Sequence, residues 1–170
     1  MTLAREATQE SGAGWRRIVV TLVVGVLLKQ MPWAGWGLIV RPDFVLIAIL
    51  FWALHRPSGV GMGLAFTLGL LSDFQDGVVF GQHVMAYVVG VYAVQYFRLR
   101  FLQFDAVRQS AQMLPVFLLV QLIILVVGWL SVRPPRGLNI FLPALSDVVL
   151  WYLIALALHV WYGKSVLRRL

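Results

Sequence analysis

The chain has no cysteine and very little charge. The first absence excludes disulfides, thiolate metal sites and a cysteine nucleophile together, and leaves the redox compartment unread. The second sets the solvent. Charged residues make up 12% of the chain and hydrophobic residues 61%, with a mean hydropathy of +0.85. A water-soluble domain carries roughly a quarter of its residues charged, so these 170 residues read as an integral membrane protein. Chemistry-bearing motifs are also missing. There is no serine elbow, no phosphate-cradling glycine loop and no pair of carboxylates on one helical face, which leaves hydrolytic and ATP-driven activities without support. His55, His83 and His159 share no helical spacing of three or four and have no carboxylate in ligand register, so neither a metal site nor a cofactor is expected. No internal or inverted repeat argues for a transporter by symmetry.

What remains is a set of six apolar segments joined by short polar stretches. The first runs from about Trp15 to Met31, with Arg16 and Arg17 at one end and Lys29 and Gln30 at the other. It lacks a small-residue cleavage site and reads as a retained helix. The second, about Pro42 to Leu54, and the third, about Val60 to Ser72, are short. Thirteen helical residues cover roughly 20 Å against a hydrocarbon core of about 30 Å. Either both recruit flanking residues and span, the favoured reading, or they form a re-entrant hairpin turned at His55-Arg56-Pro57-Ser58-Gly59. The fourth, Val78 to Phe97, the fifth, Met113 to Val132, and the sixth, Leu145 to Tyr162, are long enough to cross. The expected fold is therefore all-α, a compact bundle of about six transmembrane helices. It divides into a polar cytoplasmic N-terminus at 1–14, one helical membrane domain at 15–163 and a basic cytoplasmic C-terminus at 164–170.

Charge sets the orientation. With six crossings, one side holds ten basic residues, namely Arg5, Arg16, Arg17, Arg56, Arg98, Arg100, Arg108, Lys164, Arg168 and Arg169, and the other side Lys29, Arg41, Arg133 and Arg136. The bias places both termini in the cytoplasm, and a re-entrant hairpin, which removes two crossings together, leaves the termini there. The net charge of +7 and pI near 10.6 thus speak for topology and anionic lipid headgroups, with no basic surface interleaved with aromatics of the kind that binds nucleic acid. Trp15, Trp33, Trp36, Trp129, Trp151 and Trp161 fall near segment ends, where amphipathic rings settle at membrane interfaces, while Trp52 is placed to pack between helices.

The carboxylates are the residues to explain, since an Asp at mid-bilayer costs about 2.5 to 3.5 kcal/mol on insertion scales. Arg41-Pro42-Asp43 suits a helix start, with Pro tolerated in the first turn and a carboxylate at the positive end of the helix dipole. The alternative is that Arg41 and Asp43 organise the extracytoplasmic entry of a groove or a partner contact. Asp73 and Asp76 lie in Leu71-Ser72-Asp73-Phe74-Gln75-Asp76-Gly77, which is either a loop or the end of the third helix. In the second case Asp73 faces the bundle and takes Ser, backbone amides or Arg41 as partners. Asp147 reads as a cap near the start of the sixth helix. Gly61, Gly63 and Gly69 in the third segment, and Gly77, Gly81 and Gly90 around the fourth, read as sites of close helix approach. Gln121 reads as an interhelical hydrogen-bonding group.

Arg41-Pro42-Asp43 leading a short apolar helix, then Gly69-Leu70-Leu71-Ser72-Asp73 with Gly77 and Gly81, resembles the MreD family of rod shape-determining membrane proteins. Phe80-Gly81-Gln82-His83-Val84-Met85-Ala86-Tyr87 is similar to the family's continuation, and beyond Phe97 the likeness is one of length and hydropathy. The resemblance implies a non-catalytic component of the bacterial inner membrane within the rod complex, or elongasome, that helps organise peptidoglycan synthesis. It implies binding to MreC and linkage with MreB, RodA and a class B penicillin-binding protein. It also implies a fold similar to the S component of energy-coupling-factor transporters. Arg41, Pro42, Asp43, Gly69, Asp73, Gly77 and Gly81 are the structural or partner-binding candidates it singles out; no catalytic residue carries over. The residues alone agree on class, since a small bundle with short loops and few polar groups has mainly its lateral faces to offer. The alternative is a transport subunit holding a small ligand in a pocket rimmed by Arg41, Asp43 and Asp73. A third reading, an enzyme acting on a lipid-linked precursor, needs Asp43, Asp73 and Asp76 to converge.

Overall fold

The structure, a computed structural model, describes residues 2–35, 37, 40–130 and 141–166. Among these, every regular element is a helix: α1 Thr2–Lys29, α2 Phe44–His55, α3 Met62–Asp76, α4 Gln82–Tyr96, the single-turn α5 Arg98–Leu102, α6 Ala106–Trp129 and α7 Leu142–Val166. Trp36, Arg133, Arg136, Arg168 and Arg169, and the side chains of Arg5, His159, Trp161 and Lys164, lie outside the described residues.

The centre of the bundle is α2. Its sequence, FVLIAILFWALH, is apolar on every side, and such a helix is stable only when surrounded. Val45, Leu46, Ile49, Leu50, Ala53 and Leu54 have no exposed surface, and α2 packs against α1, α4 and α7. Around it α3 lies on α4, α4 on α6, and α6 on α7. Outward-facing positions are also apolar, including Val19, Val20 and Val23 on α1, Phe66 and Phe74 on α3, and Val149 and Leu153 on α7. Among the described residues α6 alone is long and apolar enough to cross a membrane; Phe44–His55 and Leu142–Ala157 are shorter apolar stretches.

Two glycines allow the helices to come this close. A Cβ on Gly69 would stand 2.6 Å from Val84 Cα, so α3 and α4 touch backbone to backbone, and one on Gly90 would stand 3.0 Å from Val120 Cγ2 of α6. Gly61, Gly63, Gly77 and Gly81, expected to share that role, have nothing within 4 Å of an added Cβ.

Helix boundaries move from the hydropathy segments for local reasons. α3 continues past Ser72 to Asp76 and stops at Gly77, whose φ of 61° ends the helix in the left-handed conformation. Gly81, with φ of 106°, precedes α4, so 78–80 form a turn and not the first turn of the fourth helix. α6 begins at Ala106, ahead of the apolar run, because Arg108, Gln109 and Ser110 are polar yet compatible with helix. α1 begins at Thr2, so the polar N-terminus continues the first helix.

The link after α2 lies beside the first turns of the apolar part of α1: a Cβ on Gly59 would meet Ile18 Cδ1 at 3.4 Å. Arg98 Nε donates to Leu54 O at 2.7 Å and Gln95 Nε2 to Val60 O at 2.8 Å, satisfying carbonyls at this end. Trp52 packs between helices as expected and donates to Thr21 Oγ1 at 2.7 Å. Trp15 and Trp129 are exposed, and Trp33 is partly exposed. Trp151 differs from expectation. It is 2% exposed and lies between Phe51 and Phe117, with ring centroids 6.1 Å away on each side, because α7 turns that face toward α2 and not toward an interface.

Candidate functional site

The polar side chains collect where α1, α3 and α6 end and where α2, α4 and α7 begin. Three arrangements, joined to one another, make up the cluster.

The first is the start of α2. Asp43 caps the helix, its Oδ1 accepting from Leu46 N at 3.1 Å, which satisfies one of the amides a helix start leaves unpaired. Its Oδ2 accepts from Tyr87 OH, and Ser72 Oγ lies 3.2 Å from the same hydroxyl. The Asp43 amide donates to Asp147 Oδ1 at 2.7 Å. Asp147 therefore does not cap its own helix. It lies inside α7, fully buried, and binds a helix start 104 residues earlier in the chain.

The second is the α3–α4 turn. Asp73, with no exposed surface, accepts from Gly81 N at 2.8 Å through Oδ2, and from His83 N at 2.7 Å and His83 Nδ1 at 2.9 Å through Oδ1. Hydrogen bonds from backbone amides to a carboxylate are among the stronger ones in proteins, and here they offset the cost of burying Asp73. Backbone amides were one of the partner types expected for Asp73. Arg41, another, is instead turned elsewhere.

The third arrangement is ionic. Asp76 Oδ2 stands 2.9 Å from Lys29 Nζ and 3.4 Å from His83 Nε2, while Asp76 Oδ1 stands 3.5 Å from Arg41 Nη2. Arg41 Nη1 also donates to Lys29 O at 3.2 Å, closing the end of α1. Beneath this group is a cavity of about 140 Å³ walled by Lys29, Arg41, Asp43, Asp76, His83 and Gln121, with Pro42, Ile124 and Pro143 as its apolar part.

Of the residues singled out from sequence, Arg41, Pro42 and Asp43 meet at the cavity, and Asp73 with Gly81 forms the adjoining turn. Gly77 terminates α3 and Gly69 sets its contact with α4. Lys29, His83 and Tyr87 were not expected here. Lys29 read as the polar end of the first segment, yet its side chain is 4% exposed. Only its position at the far end of an apolar run, level with Arg41 across a short connection, hinted at a shared location. Among the described residues no group of three or more His, Asp or Glu side chains is arranged to hold a metal.

A chain whose described elements are all helices with apolar outward positions, and whose Lys29, Asp73, Asp76 and His83 side chains meet one another or backbone amides, is organised as a helical membrane protein. Its family is narrower: the family model described as rod shape-determining protein MreD matches residues 12–161, and the chain belongs to that family. A similar protein is the rod shape-determining protein MreD of Haemophilus influenzae, 28% identical over 80 residues, which are 47% of this chain and 49% of that relative. The chain thus matches about half the length of the relative. No solved structure matches it. The family is one of shape-determining membrane components and is not a known enzyme family.

Proposed function

We propose that this protein is a non-catalytic, six-crossing component of the rod complex in the bacterial inner membrane, with both termini cytoplasmic, and that it binds MreC through the outer face of α3. In that complex it helps organise peptidoglycan synthesis, alongside MreB, RodA and a class B penicillin-binding protein. The bundle is of the S-component kind, forming one membrane domain between its polar ends.

Two observations support the topology. Polar groups from the ends of α1, α3 and α6 and the starts of α2, α4 and α7 meet at one end, as alternating crossings require. The link after α2 lies beside Ile18, at the opposite end with Arg98, which favours two full crossings over a re-entrant hairpin.

The observation that carries the partner face is the outer surface of α3. Gly63, Phe66, Thr67, Leu70 and Phe74 are spaced as one helical stripe, and all are exposed. Among the described residues α3 packs extensively against α4 alone. Thr67, Leu70, Leu71, Phe74 and Phe80 line an open concavity of about 550 Å³, and Gly63 has no atom within 4 Å of where a Cβ would be. A small residue beside aromatic walls suits close approach of another membrane helix, where packing and hydrogen bonding drive association. MreC supplies that helix or its membrane-proximal segment. The basic stretch from Arg98 to Arg108 faces anionic lipid or cytoskeletal partners.

The test is co-purification of MreC with Gly63→Trp and Phe74→Ser variants, read together with cell width. Loss of MreC with an unchanged melting temperature supports the assignment; full recovery of MreC and normal width with both variants overturns it.

A further inference from the structure

We propose that the cavity walled by Lys29, Arg41 and Gln121 binds the carboxylate or phosphate group of a small molecule, with Lys29 as its buried cationic anchor. Buried donors gather at this cavity. Lys29 Nζ forms an ion pair with Asp76 Oδ2 at 2.9 Å, and no further acceptor of the described protein reaches this buried ammonium. At least two of its three N–H groups are left without a protein acceptor, in a side chain only 4% exposed. The Gln121 amide lines the same cavity, is 5% exposed as a residue, and has no protein partner among the described residues. Arg41 uses Nη1 on Lys29 O and places Nη2 near Asp76, which leaves guanidinium donors in reserve.

The carboxylates of the cavity wall are already engaged. Both oxygens of Asp43 are taken, by Leu46 N and by Tyr87 OH, and Asp76 is shared among Lys29, Arg41 and His83. The spare donors of Lys29, Arg41 and Gln121 therefore outnumber the one free side-chain acceptor, Gln121 Oε1, and buried donors left unmet are costly. A group rich in acceptor oxygens completes the site, and charge-assisted bonds from Lys and Arg to an oxyanion are the strong kind. Size narrows the class. Drug-sized ligands occupy roughly 300–1,000 Å³, whereas about 140 Å³ is present here, enough for one oxyanion and a short carbon portion against Pro42, Ile124 and Pro143. Access is from the rim, where the side chains of Arg41 and Asp76 are 23% and 24% exposed. Asp73 is not part of this site, since both its oxygens are bound to Gly81 and His83.

The test is a thermal-unfolding titration of the full chain in detergent with acetate, inorganic phosphate and glycerol 3-phosphate as separate probes, at constant ionic strength balanced with chloride. A saturable rise in melting temperature with at least one probe is expected. Apparent affinity should fall about tenfold in Lys29→Met, be retained in Lys29→Arg and weaken in Gln121→Leu. Response to acetate identifies a free carboxylate, response to inorganic phosphate a free phosphate, and a stronger response to glycerol 3-phosphate a lipid headgroup. No saturable response to any probe, with the cavity holding water only, overturns the proposal. So does unchanged affinity in Lys29→Met, or in Gln121→Leu should Lys29→Met fail to fold. MreC recovery is read separately on α3, so failure here is distinguishable from failure of that reading.

Discussion

Asp73 and His83 are joined twice through a single oxygen: Asp73 Oδ1 receives both the His83 amide, at 2.7 Å, and the His83 ring Nδ1, at 2.9 Å. With Gly81 N on the other oxygen, the last turn of α3 is fastened to the first turn of α4 by one carboxylate, while the other ring nitrogen of His83 reaches Asp76.

Removing that carboxylate should loosen the whole α3–α4 unit. Asp73→Ala leaves buried amides unpaired, and the expected loss is about 2–4 kcal/mol, in the range of a broken buried network. Thermal unfolding in detergent checks it. Because α3 carries the proposed partner face, MreC recovery should drop along with stability. An unchanged melting temperature, complex and cell shape would remove Asp73 from both roles.

The two small residues of α3 should behave oppositely. Gly69→Ala places a methyl 2.6 Å from Val84 Cα, and overpacking of this kind costs about 1–3 kcal/mol. Gly63→Ala meets nothing, so its melting temperature should not fall while MreC binding weakens. Measuring both quantities for both variants separates internal packing from the partner contact.

Tyr87→Phe deletes the hydroxyl that donates to Asp43 and lies 3.2 Å from Ser72 Oγ. Hydrogen bonds to charged groups contribute about 1.5–3 kcal/mol, and a destabilisation of that order is expected. Adding Asp43→Ala to Tyr87→Phe should cost less than the sum of the two single changes, because they share one bond.

Part of this arrangement is legible in the sequence. Arg41-Pro42-Asp43 marks the start of α2, where Asp43 does accept from Leu46 N, whereas the central, buried position of α2 is not among the sequence expectations, which leave this segment as a span or half of a re-entrant hairpin. The cap is a local effect, settled within one turn of chain. The partners of Lys29 and Asp147 were not legible. Lys29 pairs with Asp76 on another helix, and Asp147 meets an amide 104 residues away; such pairings depend on how helices pack, which hydropathy does not encode. Trp151 was misplaced for the same reason: its position near a segment end indicated depth, while packing against Phe51 and Phe117 decided its direction.

The absence of cysteine makes the central claim directly measurable. Single cysteines introduced by Gly63→Cys, Phe66→Cys and Leu70→Cys on α3, with Val149→Cys on the outer face of α7 as the comparison, can be cross-linked to MreC in native membranes. The account predicts adducts from the three α3 positions and none from Val149→Cys. Adducts from Val149→Cys alone, with α3 silent, would contradict it.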